Sequence, residues 1–116
     1  MNLDPRTLAV ERTADDEVRI RLAVPAQLPC FADHFPGAPM LPGVLQLGWA
    51  VRLAQQQFGI ELPLQQVAQL KFQHPILPDR ELWLRLRRSA PLQVAFHYDT
   101  AAQPCSSGRL QFADPA

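Results

Sequence analysis

One apolar segment, Pro42 to Phe58, limits what this chain can fold into more than any other. It opens on Pro42-Gly43 and is closed by Gly59. Proline suits the first turn of a helix, and glycine suits the residue just past its end. Between them Val44, Leu47, Val51 and Phe58 recur at helical spacing, and Leu45, Trp49 and Leu53 widen the stripe. A helix apolar around so much of its circumference has to be largely enclosed. No other stretch reads as a long helix.

Most of the remaining chain alternates between apolar and polar residues, the period of a strand with one buried face. Leu8 to Arg12 is a short candidate. Glu17 to Val24 places Val18, Ile20, Leu22 and Val24 on one side. Ala68, Leu70 and Phe72 share a face opposite Gln69 and Lys71. Leu82, Leu84 and Leu86 alternate with Trp83, Arg85 and Arg87, and Leu92, Val94, Phe96 and Tyr98 do the same downstream. Arg109 to Phe112 closes the set, with Leu110 and Phe112 inward. One-sided alternation belongs to an antiparallel sheet with one face on a core. The expected class is α+β: one helix against one antiparallel sheet, in a single domain spanning 1–116.

Composition narrows the function classes. Eleven basic residues balance eleven acidic ones, which argues against wholesale nucleic-acid binding. No uncharged apolar run approaches the roughly 18 residues of a membrane span. The first residues, M-N-L-D-P-R-T, carry Asp4 and no apolar run, unlike a signal peptide, so a cytoplasmic location is expected. Cys30 and Cys105 lack metal-ligand spacing and read as free thiols. No metal and no cofactor is called for.

The run into the helix, F-A-D-H-F-P-G-A-P-M-L-P-G-V-L-Q from Phe31 to Gln46, sets a lone histidine in a proline- and glycine-rich loop. His34-Phe35-Pro36-Gly37 followed by Pro42-Gly43-Val44 resembles the hallmark of the 3-hydroxyacyl-ACP dehydratases of fatty-acid synthesis, which have the hotdog fold. Phe72-Gln73-His74-Pro75-Ile76-Leu77-Pro78-Asp79 and Ser107-Gly108-Arg109-Leu110 fit the same family, so the resemblance covers about Val18 to Phe112. With Gln46-Leu47 and Trp49-Ala50, the chain is most similar to the dehydratase-like proteins of aryl-polyene gene clusters. The resemblance implies a sheet wrapped around the central helix and two subunits joined edge to edge as a homodimer, with a heterodimer or larger assembly as alternatives. It implies a substrate held on acyl carrier protein or as a CoA thioester, in a tunnel at the subunit interface. It also implies a histidine that works with an acid on the partner's central helix. The position of that acid is occupied here by Gly48.

Dehydrating a 3-hydroxyacyl thioester needs a base for the C2 proton, an acid for the departing C3 hydroxyl, and a donor for the charge growing on the thioester oxygen. His34 suits the base, since an unperturbed imidazole titrates near pH ~6.5. Gly43 suits the donor, because a helix N-terminus presents unpaired N–H groups and glycine permits close approach. Phe31 and Phe35 flank the histidine and shield it from water. Pro42, Val44 and Gln46 at the helix start, together with Trp49, complete the expected substrate contacts. Gln46 and Gln55 sit in so apolar a helix that each needs a partner.

Gly48 has no proton to give, and a mid-helix glycine costs about 1 kcal/mol relative to alanine. Three explanations stay open. Asp33, or less directly Glu11 or Glu61, replaces the acid. A water held near Gln46 or Gln55 donates. Or the chain binds an acyl thioester without dehydrating it, alone or as the partner in a heterodimer. A thioesterase is disfavoured, because Val44 to Phe58 contains no acid. His74 and His97 read as structural or solvated. Arg80, Arg85, Arg87 and Arg88 read as a solvated face or as a patch that steers an acidic carrier protein.

Overall fold

The structure, a computed structural model, describes residues 3–33 and 39–114, with Ala32 and Asp33 described by their backbone only. Its elements run β1 (Arg6–Ala14), β2 (Glu17–Ala23), α1 (Cys30–Asp33), α2 (Gly43–Phe58), β3 (Leu64–Phe72), β4 (Glu81–Ala90), β5 (Gln93–Asp99) and β6 (Pro104–Phe112). The six strands form one sheet in the order β1-β2-β4-β5-β6-β3, antiparallel throughout. β1 and β3 are therefore its edges. β1 and β6 are longer than their alternation suggested, and α1 lies within the stretch read as loop.

Register turns the alternating residues into rows across one face. Ile20 pairs with Leu84, Leu84 with Tyr98, and Tyr98 with Ser106. The neighbouring row runs Val18, Leu86, Phe96, Gly108. Every apolar member of both rows is buried, as are Leu22, Leu82, Val94, Leu110 and Phe112. A one-residue slip would turn these side chains to the outer face, so burial itself holds the register. Gly108 completes its row by leaving space: a Cβ there would stand 2.6 Å from Cε2 of Phe96.

α2 packs on this face, against β4. Pro42 is its N-cap, and the N–H groups of Leu45 and Gln46 donate to the Pro42 carbonyl at 3.1 and 3.2 Å. Gly59 ends it at φ 63°, where the left-handed backbone favours glycine. The face turned to the core is Gln46, Trp49, Ala50 and Ala54. Of the expected stripe, Leu47, Val51 and Phe58 are half-buried against the core, whereas Val44 is 76% exposed. With apolar residues on most of the helix surface, periodicity alone does not choose a face. The small side chains of Ala50 and Ala54 decide it, because they let helix and sheet approach closely. The described residues cover one side of α2 more fully than the side that bears Val44 and Gly48.

β3 departs from the expected alternation as well. Gln69 has φ 55°, and the pairing with β6 shifts register between Ala68 and Lys71. Such an irregularity breaks the period-2 pattern. Leu70 and Phe72 consequently stay exposed, at 43% and 55%, instead of joining the core.

Replacing Gly108 with alanine tests the row packing. The substitution stiffens the unfolded chain, worth about 0.4–1 kcal/mol in favour of folding. Displacing the buried Phe96 ring opposes this with about 1–3 kcal/mol. Gly108→Ala should therefore lower the urea midpoint, and Gly108→Val should lower it further.

Candidate active site

The start of α2 is held by the amide of Gln46, which the sequence offers as a substrate contact and as a polar group that needs a partner. Gln46 is buried, and its Nε2–H donates to the Leu41 carbonyl at 3.0 Å. Its Oε1 accepts from the Ser106 hydroxyl at 2.6 Å, and its backbone carbonyl accepts from the Tyr98 hydroxyl at 2.7 Å. Burial pushes the Tyr98 phenol well above its ordinary pKa, with Arg52 opposing the shift weakly, so the hydroxyl remains a neutral donor. Leu41 in turn donates its N–H to the Ile76 carbonyl at 2.7 Å. The Gln46 side chain thus joins the loop before α2 to β6, its backbone carbonyl adds β5, and Leu41 carries the link to the loop after β3. Gln55 is satisfied more simply, by donating to the Leu62 carbonyl at 3.0 Å.

A cavity of about 320 Å³ opens beside this anchor, lined by Met40, Leu41, Pro42, Gly43, Gln46, Phe72, Gln73, His74 and Pro75. Pro42 has no N–H, and the Gly43 and Val44 N–H groups precede the first intrahelical bond. The Phe72 ring closes on Gly43 so tightly that a Cβ there would stand 2.6 Å from Cζ. Glycine at this position leaves a backbone N–H at the cavity wall, where the helix dipole favours negative charge.

The structure brings Pro42, Gly43 and Gln46 together and separates several other candidates. Trp49 is fully buried, donates Nε1–H to the Leu3 carbonyl at 2.9 Å, and faces a different cleft formed with Asp4, Pro5 and Arg52. Phe31 is half-buried against the core. Val44 points to solvent. Gly48 lies on the uncovered side of α2: no described atom outside its own stretch of helix is within 4 Å of where its Cβ would stand. His34 and Phe35 lie outside the described residues, as does the Asp33 side chain.

Neither Glu11 nor Glu61 reaches the cavity within this chain. Glu11 is on β1, at the sheet edge opposite β3. Glu61 lies beyond the far end of α2, whose 16 residues span about 24 Å.

The arginine run divides. Arg85 and Arg87 are exposed on the outer sheet face, and Arg87 lies 3.8 Å from Asp16. Arg88 instead donates to the Pro91 carbonyl at the β4–β5 turn and stands 5.9 Å from the Phe58 ring centre. Sequence reading missed a wider feature: register aligns Arg19, Arg85, His97, Ser107 and Lys71 in one row across the outer face. Partial burial and the Arg85 charge lower the His97 pKa, although Asp99 pulls it upward. Tyr98, Ser106 and Phe72 were also not singled out. Tyr98 and Phe72 offered only a ring on a face that alternation assigned to the core, and Ser106 lies in the part of β6 that precedes the strand read from Arg109.

A family description of ApeI dehydratase matches residues 10–109, nearly the whole chain. The chain belongs to the ApeI-like dehydratase family. The dehydratase heterocomplex ApeI:P from Xenorhabdus doucetiae contains a similar structure, at 29% identity and a TM-score of 0.86, covering 96% of this chain and 99% of that one. A structure from Erwinia carotovora subsp. atroseptica, described as an uncharacterized protein, follows at 31% identity and a TM-score of 0.81, covering 96% and 97%. A 3-hydroxyacyl-[acyl-carrier-protein] dehydratase, FabZ, of Symbiobacterium thermophilum is 35% identical over 69 residues; that match spans 53% of this chain and about half (49%) of the FabZ chain. The α+β arrangement is accordingly the hotdog fold of ApeI-like dehydratases. Among the described residues, no helix is long and apolar enough to cross a membrane.

The anchor makes a quantitative expectation. Gln46→Ala leaves the Leu41 carbonyl and the Ser106 hydroxyl unpaired, at about 1–3 kcal/mol for each orphaned group. Gln55→Ala removes one half-buried bond and should cost about 0.5–1.5 kcal/mol. Urea unfolding of the two variants should rank Gln46 clearly first; equal losses would deny the anchor its role.

Proposed function

We propose that this chain eliminates water from a 3-hydroxyacyl thioester carried on acyl carrier protein or CoA, in fatty-acid or aryl-polyene type lipid synthesis in the cytoplasm. The observation that carries the reading is the cavity at the α2 N-terminus, walled by Gly43. His34 removes the C2 proton. The electron pair of that C–H bond forms the C2–C3 double bond, the C3–O bond breaks, and the hydroxyl leaves as water once protonated. The Gly43 N–H holds the thioester oxygen as it gains negative charge. Pro42 at the cavity wall and Phe35 of the histidine motif frame the acyl group, and Gln46 acts by holding the helix start in place.

The working unit is a dimer formed through the β3 edge. That edge is unpaired in the chain, and Val44, Leu70 and Phe72 leave large apolar surface exposed. An unpaired strand edge is a template for another chain. The cationic row on the outer face supports attraction of an acidic carrier protein, since like charges side by side are relieved by an anionic partner.

The open space at Gly48 favours a second reading, in which the chain is one subunit of a heterodimer and lends His34 to an acid on its partner. The ApeI:P structure is itself a heterocomplex. The test is an elimination assay on a 3-hydroxyacyl thioester. Activity in the isolated chain, lowered at least ~100-fold in kcat/KM by His34→Ala, supports the enzyme acting alone. Activity that appears only with a second subunit supports the heterodimer. Unchanged turnover in His34→Ala removes His34 from the mechanism.

A further inference from the structure

The cavity at the α2 N-terminus contains a group that the mechanism above does not use. Of the described residues lining it, His74 alone is titratable. Its position is fastened at three points to the start of β6. The ring Nδ1 bonds the Pro104 carbonyl at 2.7 Å, and because a carbonyl only accepts, Nδ1 carries the proton. The His74 backbone N–H donates to the Cys105 carbonyl at 3.2 Å, and the Gln73 N–H donates to the same oxygen at 2.8 Å. Pro75 follows and restricts the His74 backbone to extended conformations. The side chain is exposed, yet the bond to Pro104 fixes the ring and the two backbone bonds fix the segment that carries it. A fixed Nδ1–H sets the tautomer and leaves Nε2 as the nitrogen that takes up and releases a proton. Nε2 makes no hydrogen bond to any described residue.

The reaction lacks such a group. Among the described side chains α2 contains no acid, Gly48 carries no side chain, and Glu11 and Glu61 lie elsewhere; the Asp33 side chain is outside the described residues. We propose that His74 is the proton donor to the leaving hydroxyl, with Nε2–H of its imidazolium aimed at the C3 oxygen. The inference rests on the dehydratase reading and names the acid which that reading leaves open. As the base takes the C2 proton, Nε2–H passes its proton to the C3 oxygen. The C3–O bond breaks, water departs, and the pair from the C2–H bond becomes the C2–C3 double bond. His74 is left neutral, the base is left protonated, and exchange with solvent restores both. No oxidant or further reactant enters.

Asparagine separates chemistry from structure at this position. Its side-chain amide keeps a donor for the Pro104 carbonyl but does not titrate. Turnover of 3-hydroxybutyryl-N-acetylcysteamine is measured for wild type, His74→Asn and His74→Ala, each with any second subunit that co-purifies. An acid role predicts that both variants lose about 100-fold in kcat with KM little changed, and that added imidazole restores part of the rate of His74→Ala. Wild-type kcat in His74→Asn overturns the assignment while leaving the dehydratase reading intact. A wild type inert toward such thioesters overturns both. A readout independent of variant folding is the ¹⁵N spectrum of wild-type His74. It should show the Nδ1–H tautomer, with an Nε2 signal that moves when the thioester is added; an Nε2 signal that does not move overturns the proposal.

Discussion

The architecture around the site depends on one buried amide. Gln46 sits where an apolar residue would be easier to bury; its side-chain amide bonds Leu41 and Ser106, and its backbone carbonyl accepts from Tyr98. A buried polar group without partners is costly, and one with all of them met fixes a unique arrangement. Here the arrangement sets the first turn of α2 against β5 and β6. Through Leu41 and Ile76 it also ties the loop before α2 to the loop after β3. Those two loops supply the walls of the cavity, so the position of the Gly43 N–H follows from the Gln46 side chain.

The two sides of α2 have different tasks. Ala50 and Ala54 let the helix lie close on the sheet, and Trp49 pins the N-terminal segment through Leu3. The other side bears Gly48 and Val44, and Gly48 meets none of the described residues outside its own stretch of helix. An acid at Gly48 would project from that uncovered side, whereas His74 approaches the cavity from the β3–β4 connection. The missing helix acid and the fixed histidine are thus separate features of the same site. The first makes room beside the helix, and the second places a proton carrier beside Gly43.

Much of this was legible in the residues. Alternation located all six strands, because sheets with one buried face impose period two, and Pro42 and Gly59 bounded α2. The most deeply buried helix face was not legible, since exposed Val44 and half-buried Leu47 and Val51 are as apolar as the residues that are fully buried. β3 misled because a positive φ at Gln69 interrupts the pattern that Leu70 and Phe72 continue in sequence. The partners of Gln46 lie 52 and 60 residues away, and only the sheet register brings them to α2. His74 looked like a turn residue because nothing in its neighbourhood announces the Pro104 carbonyl. The histidine motif itself, residues 34–38, is legible only in the sequence and lies outside the described residues.

The central claim is that the α2 N-terminus, held by Gln46, receives an acyl thioester. The most direct measurement is an amide chemical-shift titration of ¹⁵N-labelled protein with crotonyl-N-acetylcysteamine, a stand-in for the unsaturated thioester product. The account predicts that the largest saturable shifts fall on Gly43 and Val44, with smaller ones at Phe72 and His74. Saturable shifts confined to the outer sheet face, with Gly43 unmoved, would contradict it.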